Sequence, residues 1–348
     1  MIQGRALESD YAQLKGRVRD AGLLERQSAF YIRSIAAKLA LLAGCLAIFV
    51  VVRQPWALAL DAVALAIVSG QLGFQLHDAG HHQMFRSARL NAAVGLLTGN
   101  LALGMSYGWW IAKHNRHHAN PNHVDLDPDI GPGTIAYTEE RALAAEGVKR
   151  LVARHQAFLF FPLLLFLGGS MHAASVRFLS KERPRYRRLE IALLALHAAL
   201  YAGFFVLLLG PWLALMVILI HKACAGLYMG SVFAPNHKGM ARMEGVDIDF
   251  LRRQVLTSRN VRSNPLIDVW YGALNYQVEH HLFPTMARSS MPRAHVIVMD
   301  FCRERGIAYH RVSMLQSYRE ILSYLHEVGT PLRGRERIVP SRGPGTTD

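Results

Sequence analysis

Histidine clustering is the strongest chemical signal in this 348-residue sequence. Eight of its 17 histidines fall in three short groups, which read His77-Asp-Ala-Gly-His81-His82, His114-Asn-Arg-His117-His118 and Gln277-Val-Glu-His280-His281. On a helix, residues spaced by three or four share one face, so the members of each group would point the same way. The H-x-x-H-H spacing arises by chance at a given position with a probability on the order of 10⁻⁴.

These groups predict a metal site. Neutral imidazole suits iron, zinc, copper and nickel, so the residue type alone does not name the metal. A single zinc ion uses three or four protein ligands, and the groups offer about twice that number, which favours two metal ions. The H-E-x-x-H pattern of zinc proteases is absent, because Asp78 follows His77.

Four apolar segments are long enough to cross a bilayer, which takes roughly 20 apolar residues. They are about 35–53, 56–76, 189–209 and 211–233. Helix-breaking links at Arg53-Gln54-Pro55 and Gly210-Pro211 join them in two pairs, as in tight hairpins. The sequence therefore predicts an all-α, multi-pass membrane protein with four transmembrane helices in two hairpins, interfacial helices, and a cytoplasmic helical cap that contains the di-metal site.

Residues outside these spans complete the predicted organisation. Two further apolar stretches, about 91–112 and 156–175, contain polar, glycine or proline interruptions and predict interfacial or half-inserted helices. We expect a cytoplasmic N-terminal lead-in over 1–34 and a membrane domain over 35–330. The Arg-, Gly- and Pro-rich residues 331–348 predict a disordered tail.

Charge gives the expected orientation. The net charge is +14, from 39 Lys and Arg against 25 Asp and Glu, and basic clusters over 15–33, 181–188 and 238–262 lie near the apolar segments. Such clusters are typical of cytoplasmic loops that face anionic lipid, so we predict membrane lipid and not nucleic acid as the partner. The three histidine groups would then meet at the cytoplasmic boundary of the membrane. The three cysteines are far apart and indicate neither a disulfide framework nor a thiolate metal site.

The same residues resemble the membrane fatty acid desaturase family, whose signature is three histidine boxes separated by two spanning hairpins. The matching stretches read HDAGHH, WWIAKHNRHHANPNHVDLDPDI and NYQVEHHLFP, and the similarity covers roughly residues 30–300. The resemblance implies an O₂-dependent enzyme that inserts a cis double bond into a fatty acyl chain, carried on coenzyme A or a lipid. It also implies a centre of two Fe²⁺ ions, with O₂ as the co-substrate.

A set of iron ligands follows from this resemblance. The family supplies one more histidine between the last span and the third box, and His237 in FAPNHKGM holds that place. The implied ligands are His77, His81, His114, His117, His118, His237, His280 and His281. His82 is a weaker candidate, as is Gln277, which resembles the Q-x-x-H-H third box of front-end desaturases and many bacterial relatives.

Polar neighbours of the boxes are expected to hydrogen-bond the outer nitrogens of the ligand imidazoles. These candidates are Asp78, Asn115, Asn236, Glu279, Asp125, Asp127 and Asp129. The remaining histidines and several aromatic residues are interpreted as structural, interfacial or packing residues, namely His123, His155, His172, His197, His221, His295, Trp109, Trp110, Trp270 and Tyr271.

The sequence also bears on electron supply and on alternative functions. No H-P-G-G haem motif is present, so the resemblance implies a separate electron donor such as a ferredoxin, a cytochrome b5 or a reductase. A lipid hydroxylase with the same di-iron site is the main alternative. A membrane metal carrier would need more polar residues within the spans than Asp61, Gln71, His197 and His221. A structural protein with incidental histidines is the third alternative.

Overall fold

The computed structural model describes residues 9–245 and 247–334, and this part of the chain is mainly helical. Its α-helices, in chain order, are α1 (Asp10–Asp20), α2 (Ser28–Val51), α3 (Pro55–Gly80), α4 (Ala88–Gly95), α5 (Tyr107–Ala119), α6 (Glu139–Leu143), α7 (Gly147–Leu164), α8 (Leu167–Lys181), α9 (Arg187–Leu209), α10 (Pro211–His237), α11 (Phe250–Leu256), α12 (Pro265–Tyr271), α13 (Gln277–Leu282), α14 (Met291–Glu304) and α15 (Met314–Val328). A π-helix (Leu96–Leu103) follows α4, and 3₁₀ turns form at Arg288–Ser290 and Thr330–Arg333. Two short strands, β1 (Asn260–Val261) and β2 (Arg311–Val312), pair in parallel. Most of the predicted tail, 335–348, lies outside the described residues.

Four helices are long and apolar enough to span a membrane, namely α2, α3, α9 and α10. They confirm the four predicted spans and their pairing in two hairpins. Two of them continue past the predicted ends, because α3 runs to Gly80 and α10 to His237. In both cases the helix outlasts the apolar run, and α10 continues even through Pro235. Consequently the first histidine group and His237 lie on the ends of spanning helices.

Close contacts between helices define the packing of the spans. Helix α10 packs along α3, where Gly70 leaves room for the ring of Tyr228. Gly226 of α10 lies against the backbone of the corner between α7 and α8. Small residues at such crossings are the usual means of bringing membrane helices together. Large apolar side chains on the outside, such as Leu207 and Trp212, are 90% and 81% exposed, as expected for a lipid-facing surface.

We predict that Gly226→Ala destabilises the helix bundle. A Cβ at Gly226 would lie 2.5 Å from the carbonyl oxygen of Leu164 and 2.9 Å from the amide nitrogen of Gly168, and backbone atoms cannot rotate away. Overpacking of this kind costs about 1–3 kcal/mol. Gly203→Ala on α9 is the matched control, since no atom lies within 4 Å of its added Cβ. Thermal unfolding in detergent should show a lower midpoint for the Gly226 variant only; equal midpoints would contradict this packing.

The stretch predicted as one helix over 91–112 is broken. Helix α4 and the π-helix run along α3 and α9, and the chain reverses at Gly104, which has a φ of +72°. The last carbonyls of the π-helix end inside the protein and need donors. His197 Nδ1 donates to the Leu101 oxygen over 2.8 Å, and His172 Nε2 lies 3.0 Å from the Leu103 oxygen. These contacts agree with the structural roles expected for both histidines.

A buried carboxylate fixes the start of α5, which carries the second histidine group. Glu190 of α9 is 0% exposed, and its Oε2 accepts from Ser106 Oγ over 2.6 Å and from the Gly108 amide over 3.1 Å. The Asn100 side chain lies 3.3 Å from the same oxygen.

The stretch predicted over 156–175 is also broken, because α7 and α8 meet at an angle of 83°.

The other helices form a second body with its own apolar core. Helices α1, α11, α13 and α14 share this core, to which Leu14, Leu251, Val298 and Phe301 contribute. Helix α1 comes from the predicted lead-in and packs on α14. Helix α15 packs against α7 and α10. The third histidine group, on α13, therefore lies where this body meets the ends of the spans.

Candidate metal centre

The eight histidines predicted as ligands converge. The ligand atoms of one group, His77, His81, His114 and His280, all lie within 4.8 Å of one another. The same holds for a second group formed by His117, His237 and His281. We call these the first and second nitrogen groups.

His118 lies between the two nitrogen groups. Its Nε2 lies 3.0 Å from the Nε2 atoms of His114 and His280, both in the first group. Its ring stacks on His281 of the second group, with 4.2 Å between the ring centroids. All eight predicted residues thus occupy one region, to which α3, α5, α10 and α13 contribute.

Carboxylates hold one histidine of each group by its outer nitrogen. His117 Nδ1 lies 3.0 Å from both carboxylate oxygens of Asp127, and His77 Nδ1 lies 3.1 Å from Asp78 Oδ1. Burial raises the pKa of the Asp127 carboxyl, but the hydrogen bond from His117 together with nearby positive charge, including that of Lys238, lowers the pKa overall. The guanidinium of Arg288 pairs with Asp78. Because a carboxylate only accepts, each ring donates from Nδ1 and keeps a lone pair on Nε2.

Neutral oxygens do the same for two other histidines. His237 Nδ1 donates to the Thr257 carbonyl oxygen over 2.8 Å. His281 Nδ1 donates to Gln254 Oε1 over 2.8 Å. The proton positions follow from these acceptors, and they again leave Nε2 free to act as a ligand atom.

The inner nitrogens approach one another closely. The Nε2 atoms of His117 and His237 are 3.1 Å apart, as are those of His77 and His280. In the first pair both His117 and His237 donate from Nδ1 to an outer partner. In the second pair His77 does so. Inward lone pairs at this separation repel unless a cation lies among them. The donor set is therefore compatible with a metal centre.

Burial keeps these imidazoles neutral. Desolvation, followed by the charges of neighbouring histidines, holds the pKa well below 6.5 in a set of box residues: His81, His114, His118, His280 and His281. The buried Nε2 atoms of His81 and His281 have no hydrogen-bond partner within the described residues. An unpaired buried polar group costs about 1–3 kcal/mol, which a bound metal ion would offset.

The two weaker candidates occupy different surroundings. Gln277 is buried, with its Nε2 3.0 Å from His237 Nε2, and its Oε1 has no partner among the described residues. Gln277 therefore lies beside the second nitrogen group, which has three histidines where the first has four. His82 follows the end of α3 with a φ of +54°, and it is exposed and belongs to neither group.

Four of the expected outer partners do not hold a box histidine within the described part of the chain, namely Asn115, Asn236, Glu279 and Asp125. Asn115 is exposed, and Asn236 is buried with an unpartnered Oδ1. Glu279 instead accepts from Asn260 and Tyr309 over 2.7 Å each, and so anchors α13. A residue next to a ligand on a helix is rotated by about 100° around the axis, so a contact with the ligand ring, as at Asp78, is the exception.

The three aspartates of the loop after α5 differ in whether they contact a box histidine. Asp125 is exposed and pairs at 3.8 Å with Arg141, whereas Asp129 Oδ2 lies 3.6 Å from His117 Nδ1. Asp129 also pairs with Lys113, which helps to fix the loop over α5. Of the three loop aspartates, Asp127 therefore has the closest contact with a box histidine.

Sequence reasoning missed other residues that support the site. The Trp110 ring stacks on His114, with 4.4 Å between centroids, and Gly80 leaves room for it because a Cβ there would lie 2.1 Å from the ring. Its spacing of four from His114 was the available signal. Gln254 also bridges two boxes, since its amide donates to the His118 carbonyl, and nothing in its sequence position indicated this.

Comparisons with known proteins agree with this geometry. A family model described as fatty acid desaturase matches residues 54–313. The chain is 31% identical to an acyl-lipid (9-3)-desaturase of Physcomitrium patens, over 92% of this chain and 63% of that protein. It is 28% identical to the Delta(6)-fatty-acid desaturase fat-3 of Caenorhabditis elegans, over 89% of this chain and 72% of that protein. It is also 28% identical to a Delta(8)-fatty-acid desaturase of Euglena gracilis, over 91% of this chain and 78% of that protein.

The match to the Physcomitrium protein therefore spans less than two thirds of that relative's length. The family match covers well over half of the chain and includes all three histidine boxes. The chain belongs to the fatty acid desaturase family, and its four long apolar helices make it an integral membrane protein.

Proposed function

We propose that this enzyme inserts a cis double bond into a fatty acyl chain, with O₂ as oxidant and two iron ions at the nitrogen groups. The observation that carries the proposal is the convergence of eight inward-facing imidazoles on two adjoining groups of ligand atoms. The relatives' names, which refer to acyl-lipid and fatty-acid desaturases, support the reaction class.

Each nitrogen group would hold one iron ion. The four histidines of the first group would hold one ion, and His117, His237 and His281 would hold the other. Gln277 lies beside the second set, with its amide nitrogen 3.0 Å from His237 Nε2, and His118 lies between the two sets. When bound, two ferrous ions would supply the electrons that activate O₂, the oxidant, so that two hydrogens are removed from adjacent methylenes and O₂ is reduced to water.

The protein's own part is to position the chain and exclude water. A small cavity of about 60 Å³ among the spans begins about one turn before His77 along α3, and Gly73 and Met229 line it together with the polar side chains of His172, His221 and Lys222. We propose that the acyl chain approaches the nitrogen groups from among the spans, so that its depth there fixes which carbon reaches them.

Charge supports the orientation and the donor. Basic residues are frequent at the ends of the spans that carry the histidines, whereas Arg53 is the only Lys or Arg in the hairpin links at 52–54 and 210. These charges support our proposal that the site lies on the cytoplasmic side, in a desaturase domain over 35–330 against whose cap α1 of the lead-in packs. A net charge of +14 favours an acidic electron donor, such as a ferredoxin, a cytochrome b5 or a reductase.

Expression in a host that lacks the product tests the proposal. Fatty acids from the host lipids should lose about two mass units relative to the parent acyl chain, and mass spectrometry should locate one new double bond. A gain of about sixteen mass units would indicate hydroxylation instead. Iron-loaded protein that leaves the lipids unchanged when reductant is present would contradict both reactions and favour a carrier.

A further inference from the structure

A groove lies beside the helix that carries the second box and outside both nitrogen groups. It has a volume of about 770 Å³ and runs between α4, α5 and the turn that joins α8 to α9. Its apolar wall includes Ala92, Tyr107, Ile111, Phe178 and Tyr186. A concave site of this size, with apolar walls and a few polar groups, is typical of ligand binding.

The polar side of the groove is strongly basic. Arg89, Arg116, Arg183 and Arg185 line it, and all four are exposed. Within residues 9–245 and 247–334, none of these arginines lies within 4.0 Å of a carboxylate oxygen. Arginine forks are well suited to phosphate oxygens, so four of them without an acidic partner indicate a phosphate-bearing ligand.

Two acids line the same groove, since Glu182 is exposed next to Arg183 in the chain and Glu190 lies at the floor. Glu190 is fully buried, and its Oε2 is held by donors from α5 and the segment before it. Its Oε1 is buried and has no partner among the described residues. A negative group at the floor and cations at the rim fit a ligand that has both an amine and a phosphate.

His82 also lines this groove, which accounts for the unused histidine of the first box. Its φ of +54° is rare for a residue other than glycine, and the backbone is held there because Arg26 donates to the His82 carbonyl. The imidazole is exposed at the groove and outside the nitrogen groups. The first box therefore contributes both to the candidate metal centre and to this groove.

We infer that the groove binds the headgroup of a zwitterionic membrane phospholipid whose acyl chain is the substrate. The inference rests on the proposed function and specifies the acyl carrier. Phosphate is common to phospholipids and coenzyme A, but two features favour the lipid. The groove lies where the span α9 begins, at Arg187, so a headgroup reaches it without leaving the membrane surface. Coenzyme A offers several phosphates but no cation for Glu190.

The substrate test uses the full-length, iron-loaded protein in nanodiscs of digalactosyldiacylglycerol, whose headgroup lacks phosphate. One arm adds phosphatidylethanolamine with the ¹³C-labelled acyl chain identified by the expression experiment, and the other adds coenzyme A esterified with the same chain. Iron is reduced anaerobically with dithionite, the excess is removed, and O₂ is admitted. We expect the labelled lipid chain to lose two mass units and the coenzyme A ester to react at least tenfold less.

The residue test compares two double variants with equal loss of charge. Arg183→Gln with Arg185→Gln should raise the mole fraction of lipid needed for half-maximal yield about tenfold, because two charge-assisted contacts are lost. The yield at saturation should stay unchanged, since neither side chain touches reacting atoms. Arg293→Gln with Arg319→Gln, at exposed positions of α14 and α15, is the control and should leave both quantities unchanged.

Iron content and thermal unfolding of each variant show whether it is folded. A groove variant that is folded and indistinguishable from the control would overturn the inference while leaving the proposed function intact. Preferential reaction of the coenzyme A ester would do the same. A wild-type protein that modifies neither labelled chain would remove the proposed function, and with it this inference.

Discussion

Replacement of His117 by alanine is expected to remove bound iron and desaturated product together. His117 is 2% exposed, its Nε2 faces His237, and its Nδ1 donates to Asp127. Alanine would delete one of three histidines from the second nitrogen group and leave the Asp127 carboxylate without its imidazole partner. Because loss of an outer partner alone typically costs 10–100-fold, we expect activity to fall by more than about 100-fold.

Two measurements on this variant separate a ligand from a structural residue. Iron per chain in purified protein and new double bonds in the host lipids should fall together. His326→Ala is the control, because His326 is exposed on α15 and far from both nitrogen groups in the chain. Normal iron and product in the His117 variant would support the alternative in which the histidines are incidental.

Replacement of Asp127 by asparagine should weaken iron binding by roughly 10–100-fold while leaving all eight histidines in place. The carboxylate accepts a hydrogen bond of 3.0 Å from His117 Nδ1. It also accepts hydrogen bonds of 2.8 Å from the backbone amides of Asn122 and Asp129. An amide keeps one acceptor but replaces the other with a donor, so it cannot satisfy all of these contacts. The substitution also removes the negative charge that orients the His117 imidazole and raises its basicity.

Competition with a chelator measures the iron affinity of the Asp127 variant. Asp125→Asn is a close control, because Asp125 lies two residues away with 82% of its side chain exposed and has only a 3.8 Å ion pair with Arg141. We expect the control to bind iron like the wild type. If both variants bind iron equally well, the carboxylate does not position His117.

Features that depend on local pattern could be predicted from the sequence. Apolar length gave the four spans, because a bilayer requires roughly 20 apolar residues whatever the fold. Helical periodicity gave the shared face of His114, His117 and His118, and the two hairpins explained why distant boxes return to one side. These two arguments account for most of the candidate site.

Features that depend on distant contacts could not be predicted. The reversal at Gly104 and the 83° bend between α7 and α8 arise from contacts with α9 and α10. Likewise, Gln254 and the Thr257 carbonyl hold box histidines 27 and 20 residues away in the chain. Residues adjacent to the boxes were favoured instead, and Asn115 shows why that fails, since its side chain points to solvent. Asp78 is the adjacent residue that does reach a box histidine, because it pairs with His77.

Imidazoles from the ends of α3 and α10 and from α5 and α13 are proposed to hold a pair of irons. Metal analysis of purified, catalytically active protein tests this proposal most directly. We expect activity to rise in proportion to bound iron and to reach its maximum near two iron ions per chain. Full activity in protein that contains no iron would contradict the claim.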